Sequence, residues 1–581
     1  MNPISEPILG IWDGHDAGAV LLADGCLIAA LNEERLTRRK LEVGFPIHAI
    51  RTCLEMAAIP PHEIRLVAGC TTDPAKTISR LWPASQERYY RLRRRMEPPG
   101  LLDPVTQRAK YHITEWSGNP VTRWLSTRAL HDRLARAGLI HADLRLFDHH
   151  LCHAASAACT SGMPEALVIT LDGLGDGRSG TLHHWRSGQL TPIAGVAARD
   201  SVGIVFEQVT RLLHLRELED EGKVMALADY APPVPEADNP LINLITVDGL
   251  TMRARWHASR LYRELQKIHW RSAQENFAAM AQQALEHWVL SWISHAVRIT
   301  GVGQLALAGG VFANVRLNGA IRLLPGVQEC FVFPHMGDGG LALGAACLAG
   351  ALSPVALDSL ALGPEYSESA IAAALHASGL PCRPCNQPAV TTARLLAQGA
   401  VVGWYQGRME YGPRALGQRS VLARPDLPGV RDRLNIRLKK RSWYQPFCPA
   451  MLESEAARLL VDHHGAPNRF MTALYQMRPE YHEPMAGVLG RAGRCRPQMV
   501  ADNATTPFAE LLRAMQQETG YGVLLNTSFN PHGAPLVNTP HEALSAFCSM
   551  GLDHLVIGNW IVDRPLSDQH VNITASACQR S

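Results

Sequence analysis

The sequence predicts an α/β protein of two domains: a two-lobed nucleotide-binding fold and, after a linker, a second α/β domain. Three observations predict this. A chain of 581 residues exceeds what one ordinary hydrophobic core can organise. A strand–turn–strand layout with Asp-Gly at the end of its first strand begins at Ile8 and returns at Ala166, which reads as an internal duplication. Finally, a Pro-, Ser- and Ala-rich stretch divides two sets of motifs, giving domains 1–355 and 391–581 with a linker at 356–390.

The elements follow in order. ILGIWDGHDAGAVLLADGCLIAALNEE reads as three strands joined at Asp13-Gly14 and Asp24-Gly25, because Asp-Gly between apolar runs favours tight hairpins. ALVITLDGLGDGRSGTLHHWRSGQLTPIAG repeats the layout: a strand ending at Asp172-Gly173, a glycine-rich loop, and a turn at Ser187-Gly188. Two such hairpins, each offering a loop to a shared cleft, suit a two-lobed phosphate-binding fold; two unrelated hairpins are the alternative. SVGIVFEQVTRLLHLRELEDEGKVMALA carries apolar residues at helical spacing, and 257–299 is mainly helical. QLALAGGVFANVRLNGAIRLL and ECFVFPHMGDGGLALGAACLAG each read as strand, glycine turn and helix, which places backbone N–H groups where a phosphate can sit. The second domain opens with a helix (TTARLLAQ), a strand (AVVGWYQ) and the loop GRMEYGPRALGQRS.

Composition excludes several function classes. Hydrophobic residues at 46% and charged residues at 19% are those of a soluble globular enzyme. A net charge of +3 is too small to hold nucleic acid or an anionic membrane. The run Arg88–Met96 mixes arginine with tyrosine, and without further basic segments it reads as a solvated helical face or a subunit contact in a homodimer. No apolar stretch suits a membrane span, MNPISEPILG lacks the features of a secretory signal, and 13 scattered cysteines show no disulfide framework; together these predict a cytoplasmic protein. The single C-x-x-C, Cys382 and Cys385, has no second pair and reads as structural or incidental.

The chemistry centres on DHHLCHAA. On a helix His149 and His153 stand at i and i+4, so both imidazoles leave one face and can share a divalent ion, although this spacing also arises by chance. Asp172 and Asp338, each at a strand end in a glycine-flanked loop, complete a candidate set. Two histidines and two carboxylates suit iron, manganese or zinc (Fe2+, Mn2+ or Zn2+), and ligand softness does not choose among them. His15, in Asp13-Gly14-His15-Asp16, faces the expected cleft and is a candidate to orient the reacting group or take a proton, with Asp13 beside it; a loop histidine bonded to backbone is the alternative. Lys40 is a candidate anion contact on the same rim.

The set GHDAGAVLLADG, NEERLTRRKLEVGFP, DHHLCHAASA, LDGLGDG, EGKVMALA, LAGGVFANVRLNG and HMGDGGLALGAA resembles the O-carbamoyltransferase family of the NodU, CmcH and TobZ type. GRMEYGPRALGQRS, KKRSWYQPF and LLNTSFNPHGAPLVNTP resemble that family's C-terminal domain. The resemblance implies an actin-like and sugar-kinase-like N-terminal domain with duplicated ribonuclease-H-like halves, and a YrdC-like C-terminal domain. It implies that the C-terminal domain converts carbamoyl phosphate and ATP, with Mg2+, to carbamoyl-adenylate, and that the metal-holding N-terminal domain passes the carbamoyl group to a hydroxyl of a small-molecule acceptor.

Carried over by motif, the metal ligands fall on His149, His153, Asp172 and Asp338, and the nucleotide contacts on Gly309, Gly310, Asn314, Glu221 and Lys223. Arg414, Arg419, Lys439, Arg441 and Arg496 are expected to grip phosphate oxygens, joined by Asn526 and Ser528. The chain departs from the family pattern at Ser442, Gln445 and Ala534, where an acid, an arginine and a glutamate are usual, so a nucleotide-binding scaffold without the activation step is a rival reading. A tRNA threonylcarbamoylation enzyme is a second, opposed by the near-neutral charge.

Overall fold

The computed structural model describes residues 6–98, 100, 110, 112–232, 234–463 and 467–564. Its first half contains two five-stranded sheets of one topology. In the first, β1 (Ile8–Trp12), β2 (Gly18–Ala23) and β3 (Cys26–Asn32) form an antiparallel meander, and β4 (Leu66–Cys70) and β5 (Asp143–Phe147) add in parallel beyond β1, in the order β3-β2-β1-β4-β5. The second repeats this with β6 (Glu165–Gly175), β7 (Arg178–Arg186), β8 (Gln189–Ala197), β11 (Gln304–Ala308) and β12 (Glu329–Val332), in the order β8-β7-β6-β11-β12. A separate hairpin, β9 (Ile245–Asp248) and β10 (Thr251–Ala254), lies between β8 and β11 in sequence.

The hairpins turn where the sequence places two left-handed residues together. Asp24-Gly25 has φ of 53° and 68°, and Ser187-Gly188 has 52° and 75°, the pairing a tight two-residue turn demands. The expected end of the repeat's first strand at Asp172-Gly173 is corrected: β6 runs on to Gly175, and its turn is Asp176-Gly177. Between the partners Leu171↔Gly180 and Gly175↔Arg178 the register shifts, so residues 172–174 bulge from the ladder. A bulge of this kind re-aims a side chain, here Asp172.

The two helices that follow the last strand of each sheet, His149–Thr160 and Leu341–Ala349, pack on each other between the lobes. They approach closely at Gly344, where a Cβ would lie 1.8 Å from the Cys152 carbonyl oxygen. Trp12, Val20, Val168 and Ala306 from both sheets join this interlobe core.

The second domain is an eight-stranded mixed sheet of β13 (Cys382–Pro384), β14 (Val402–Tyr405), β15 (Arg419–Ala423), β16 (Cys448–Leu452), β19 (Gln498–Val500), β20 (Val523–Ser528), β21 (His554–Ile557) and β22 (Trp560–Asp563). Its order is β13-β22-β21-β14-β15-β20-β16-β19; β17 (Tyr475–Gln476) and β18 (Arg494–Cys495) form a small separate ladder. Side chains alternate across it: Val402, Trp404, Leu422 and Leu524 pack with helices Pro388–Ala397 and Pro507–Thr519, whereas Tyr405, Val421, Val523 and Leu525 pack with helices Glu368–Ser378 and Pro540–Met550.

The expected linker at 356–390 is therefore too long. Its second half supplies the helix Glu368–Ser378 and the edge strand β13. Ser367 caps that helix, Gly379 ends it at φ 64°, and Ile371, Ala374 and Leu375 bury its inner face, a pattern hidden by the surrounding prolines and alanines.

Candidate active site and metal centre

The duplication builds the site. His149 and His153 begin the helix after β5, and Asp338 precedes the equivalent helix after β12. Asp172 bulges from β6 opposite the β1–β2 loop that carries His15. Asp148 caps the histidine helix by accepting from Leu151 N at 2.9 Å, and Asp176 accepts from His149 N at 2.8 Å, so the helix start is fixed from both sides.

One ligand atom from each of His149, His153, Asp172 and Asp338 lies within 4.8 Å of all the others. The Nε2 of His149 is 3.1 Å from Asp172 Oδ2 and 3.8 Å from Asp338 Oδ1; the Nε2 of His153 is 3.4 and 3.6 Å from the same two atoms. Ligand atoms at about 2.1 Å from a shared ion stand roughly 3.0–3.4 Å apart, depending on geometry, so the cluster needs only a small contraction to close on one. His153 has both ring nitrogens buried and without a hydrogen-bond partner, and its Nε2, which faces the two carboxylates, is the one a cation there would satisfy. Although burial opposes a charged imidazole, Asp338 and Asp172 hold His149 well above its usual range. Asp172, for its part, is held well below the usual carboxylate range by both histidines, against the effect of burial. The residues fit a divalent metal.

His149, Asp172 and Asp338 border one cavity of about 860 Å³ that reaches from the bulge of β6 into the second domain, and His153 lies buried behind them. His15 lines it, with Nδ1 3.4 Å from Asp338 Oδ2 and its ring 5.2 Å from that of Tyr90. Burial lowers the His15 pKa despite Asp338 and Asp172, which favours the neutral imidazole. Lys40 also lines the cavity and pairs with Glu219 at 2.9 Å. Asp13 is a correction: its side chain is buried, held by both arms of Arg80 at 2.9 and 3.0 Å and by Lys76 at 3.0 Å. It anchors the β1–β2 loop and offers no oxygen to the cavity.

On the opposite wall, Gly310 donates its N–H to Asp172 Oδ1 at 3.1 Å, and Gly309 has φ 105°. Asn314 lines the cavity, caps the helix Val315–Ile321 and exchanges hydrogen bonds with Gln282 at 2.7 and 3.1 Å. Glu221 accepts from Leu218 N, and burial pushes its carboxyl up to about 8. Lys223 is a second correction, for it pairs with Asp220 at 2.7 Å and is not part of the cavity wall.

The cations of the second domain divide. Arg414 and Ser528 line the cavity, and burial together with Arg496 brings Arg414 down to about 9. Arg441 donates to Asn435 Oδ1 at 2.6 Å, Arg496 contacts Cys448 Sγ at 2.8 and 3.0 Å, and Lys439 bonds the oxygens of Ser528 and Asn530. Among the described residues none of these four cations has a carboxylate within 4.0 Å, and the buried Nε of Arg414 and one terminal nitrogen of Arg441 lack partners. Asn526 donates to Ala415 O and Gln498 Oε1, leaving its own Oδ1 unpartnered. Arg419 is the third correction: it is 0% exposed, stacks on Tyr405 and donates to the carbonyls of Gln406, Gly407 and Gln418, so it braces the loop that carries Arg414.

Sequence reasoning missed several neighbours. His335 bonds Asn32 Oδ1 at 3.0 Å, lies 3.7 Å from Asp16 and packs its ring on Tyr411; its place three residues before Asp338 was the available signal. Tyr89, Tyr90, Arg93 and Lys110 also line the cavity, so the run Arg88–Met96, read from the sequence as a solvated helical face or subunit contact, turns both tyrosines and Arg93 toward the site instead.

Comparison with known proteins decides the family. The carbamoyltransferase N-terminus model matches residues 7–347, and the carbamoyltransferase C-terminus model matches 393–564. The chain belongs to the carbamoyltransferase family. It is a transferase, and carbamoyl transfer is its reaction class. Nodulation protein NolNO of Sinorhizobium fredii is 32% identical over 95% of this chain and 79% of its own. Nodulation protein NolO of Bradyrhizobium diazoefficiens is 32% identical over 74% of this chain and 81% of its own. Among solved structures, component A of the Acidaminococcus fermentans (R)-2-hydroxyglutaryl-CoA dehydratase covers 60% of this carbamoyltransferase and 99% of itself at 15% identity and a TM-score of 0.35. At that score the duplicated strand order, not the superposition, describes the fold. No helix among the described residues is long and apolar enough to cross a membrane.

Proposed function

We propose that this carbamoyltransferase activates carbamoyl phosphate with ATP and Mg2+ in a YrdC-like second domain, and transfers the carbamoyl group from the resulting adenylate to a small-molecule hydroxyl at the N-terminal site. The balance is carbamoyl phosphate, ATP and water giving carbamoyl-adenylate, pyrophosphate and phosphate; transfer then forms the acceptor O–C bond, breaks the C–O bond to AMP and releases the acceptor's proton.

The observation that carries this reading is the continuity of one cavity between Arg414 and Ser528 at one end and His149, Asp172 and Asp338 of the metal cluster at the other. Arg414, Arg441 and Arg496 gather half-buried positive charge without carboxylate partners, beside the buried amine of Lys439 whose charge burial opposes, and this favours an anionic, phosphate-bearing occupant. At the other end, an ion held by the four ligands, iron(II) before manganese or zinc, would polarise a carbonyl for attack. His15 stands beside Asp338 with a neutral imidazole favoured, suited to receive the acceptor's proton. The paired Lys40 and the N–H of Gly310 frame the path between them.

The test is formation of AMP and pyrophosphate from ATP that depends on added carbamoyl phosphate. A folded, metal-loaded protein that turns over no ATP under these conditions sinks the reading.

A further inference from the structure

The short helix Glu34–Thr37 lies at the junction of the two domains, and its arginines reach across. Arg35, 5% exposed, donates to the Gly412 carbonyl at 2.8 Å, two residues before Arg414, and pairs with Glu34 at 3.1 Å. Arg38 places one nitrogen on the Leu536 carbonyl at 2.5 Å and the other on the Pro535 carbonyl at 2.9 Å, and it pairs with Glu542 at 3.0 Å. Thus one element of the metal lobe grips both loops of the second domain that line the cavity: 412–414, with Arg414, and 534–536, beside Ser528 and Asn530.

Carbonyl groups gripped this way are poor anchors for a merely sticky surface. Each is a fixed backbone acceptor, and a guanidinium spanning two consecutive carbonyls fixes the orientation of that loop as well as its distance. Arg39, between this clamp and Lys40, instead points to Glu42 and Glu87 and is 64% exposed. The selectivity falls on the residues whose partners border the cavity.

We infer that Arg35 and Arg38 are positioning residues that dock the phosphate loops onto the metal lobe and seal the cavity along this seam, keeping an activated carbamoyl intermediate from escaping between the half-reactions. The inference rests on the adenylate reading above. An intermediate that escapes meets water: the carbonyl C–O bond to AMP breaks, AMP and carbamate form, and carbamate decomposes to carbon dioxide and ammonia. Leakage is therefore measurable without knowing the acceptor.

The experiment uses the full-length, metal-loaded chain with ATP, Mg2+ and carbamoyl phosphate and no acceptor. The wild type should release a burst of pyrophosphate and then free AMP and ammonia slowly. Arg38→Gln should keep the burst amplitude and release AMP and ammonia at least fivefold faster, whereas Arg39→Gln should match the wild type. Arg38→Lys, which keeps the charge and one donor, should leak to an intermediate degree and serves as the deciding variant if Arg38→Gln does not fold. An intact burst with unaltered AMP release in the Arg38 variants overturns the seal while leaving adenylate formation standing. No burst from the wild type overturns the adenylate reading and the seal together.

Discussion

Gly175→Ala tests the metal centre without deleting a ligand. A Cβ at Gly175 would stand 2.4 Å from Cγ, 2.5 Å from Cδ2 and 2.8 Å from Nδ1 of His149. Ordinary contact begins near 3.4 Å, so the imidazole must retreat by about 1 Å. A displacement of about 1 Å is half a metal–nitrogen bond of roughly 2.1 Å, enough to break coordination or force the ion off its other ligands. Losses of ligand positioning weaken metal affinity by about 10–100-fold, or roughly 1.4–2.7 kcal/mol. Transfer should fall by about a hundredfold, as expected for a misplacement of this size at a reacting centre. The assay is calorimetric titration of metal into metal-free protein, beside pyrophosphate release, which should be unaffected. Gly173→Ala is the control, because its Cβ meets only Ile204 Cδ1 at 3.9 Å. Wild-type metal affinity in a folded Gly175→Ala protein would refute the assignment of His149 as a ligand.

Other predictions follow from the same geometry. Because Asp338 and Asp172 hold His149 above its usual pKa, metal must displace a proton, so affinity should weaken as pH falls through that raised value and calorimetry in buffers of different ionisation enthalpy should show proton release. Glu221 has a folded pKa of about 8 against an ordinary 4.5, so its favourable contribution is full below about 4.5 and is lost as pH rises through 8. Glu221→Gln should therefore gain thermal stability relative to the wild type between pH 5 and pH 8; a constant difference in melting temperature contradicts this. Arg414→Ala should nearly eliminate pyrophosphate release, since its guanidinium is the second-domain arginine on the cavity wall named above, and unaltered release would misplace the phosphate site. Gln445, whose Oε1 is buried without a partner, stands where the motif resemblance expects an arginine, so Gln445→Arg should lower the Michaelis constant for carbamoyl phosphate; an equal or higher value places it outside that site.

Much of the fold was legible because the duplication is written in turn chemistry. Asp24-Gly25 and Ser187-Gly188 specify tight turns wherever they fall, and the repeat they mark is the repeat of five-stranded sheets. The four clustered side chains were legible too, since helical spacing sets His149 beside His153 and adjacent glycines mark both aspartates, although Asp172 sits in a bulge within β6 and Asp338 six residues beyond the end of β12. Other features depend on contacts distant in sequence. The bulge at 172–174 exists only against β7, Asp13 is claimed by Arg80 and Lys76, and Arg419 is buried by carbonyls and Tyr405 that no local pattern announces. The segment 368–384 looked like linker because its alanines and prolines mask a helix whose three buried residues face a sheet completed by the far C-terminal strand β22.

The central claim is that activation and transfer occupy opposite ends of one cavity, and rapid-quench analysis of α-labelled ATP with carbamoyl phosphate in paired variants tests it most directly. A labelled adenylate should form in one turnover in the wild type and in His149→Ala, persist unused in His149→Ala, and be absent in Arg414→Ala. Adenylate formed equally by Arg414→Ala, or lost in a correctly folded His149→Ala, would contradict the division of the reaction between the two domains.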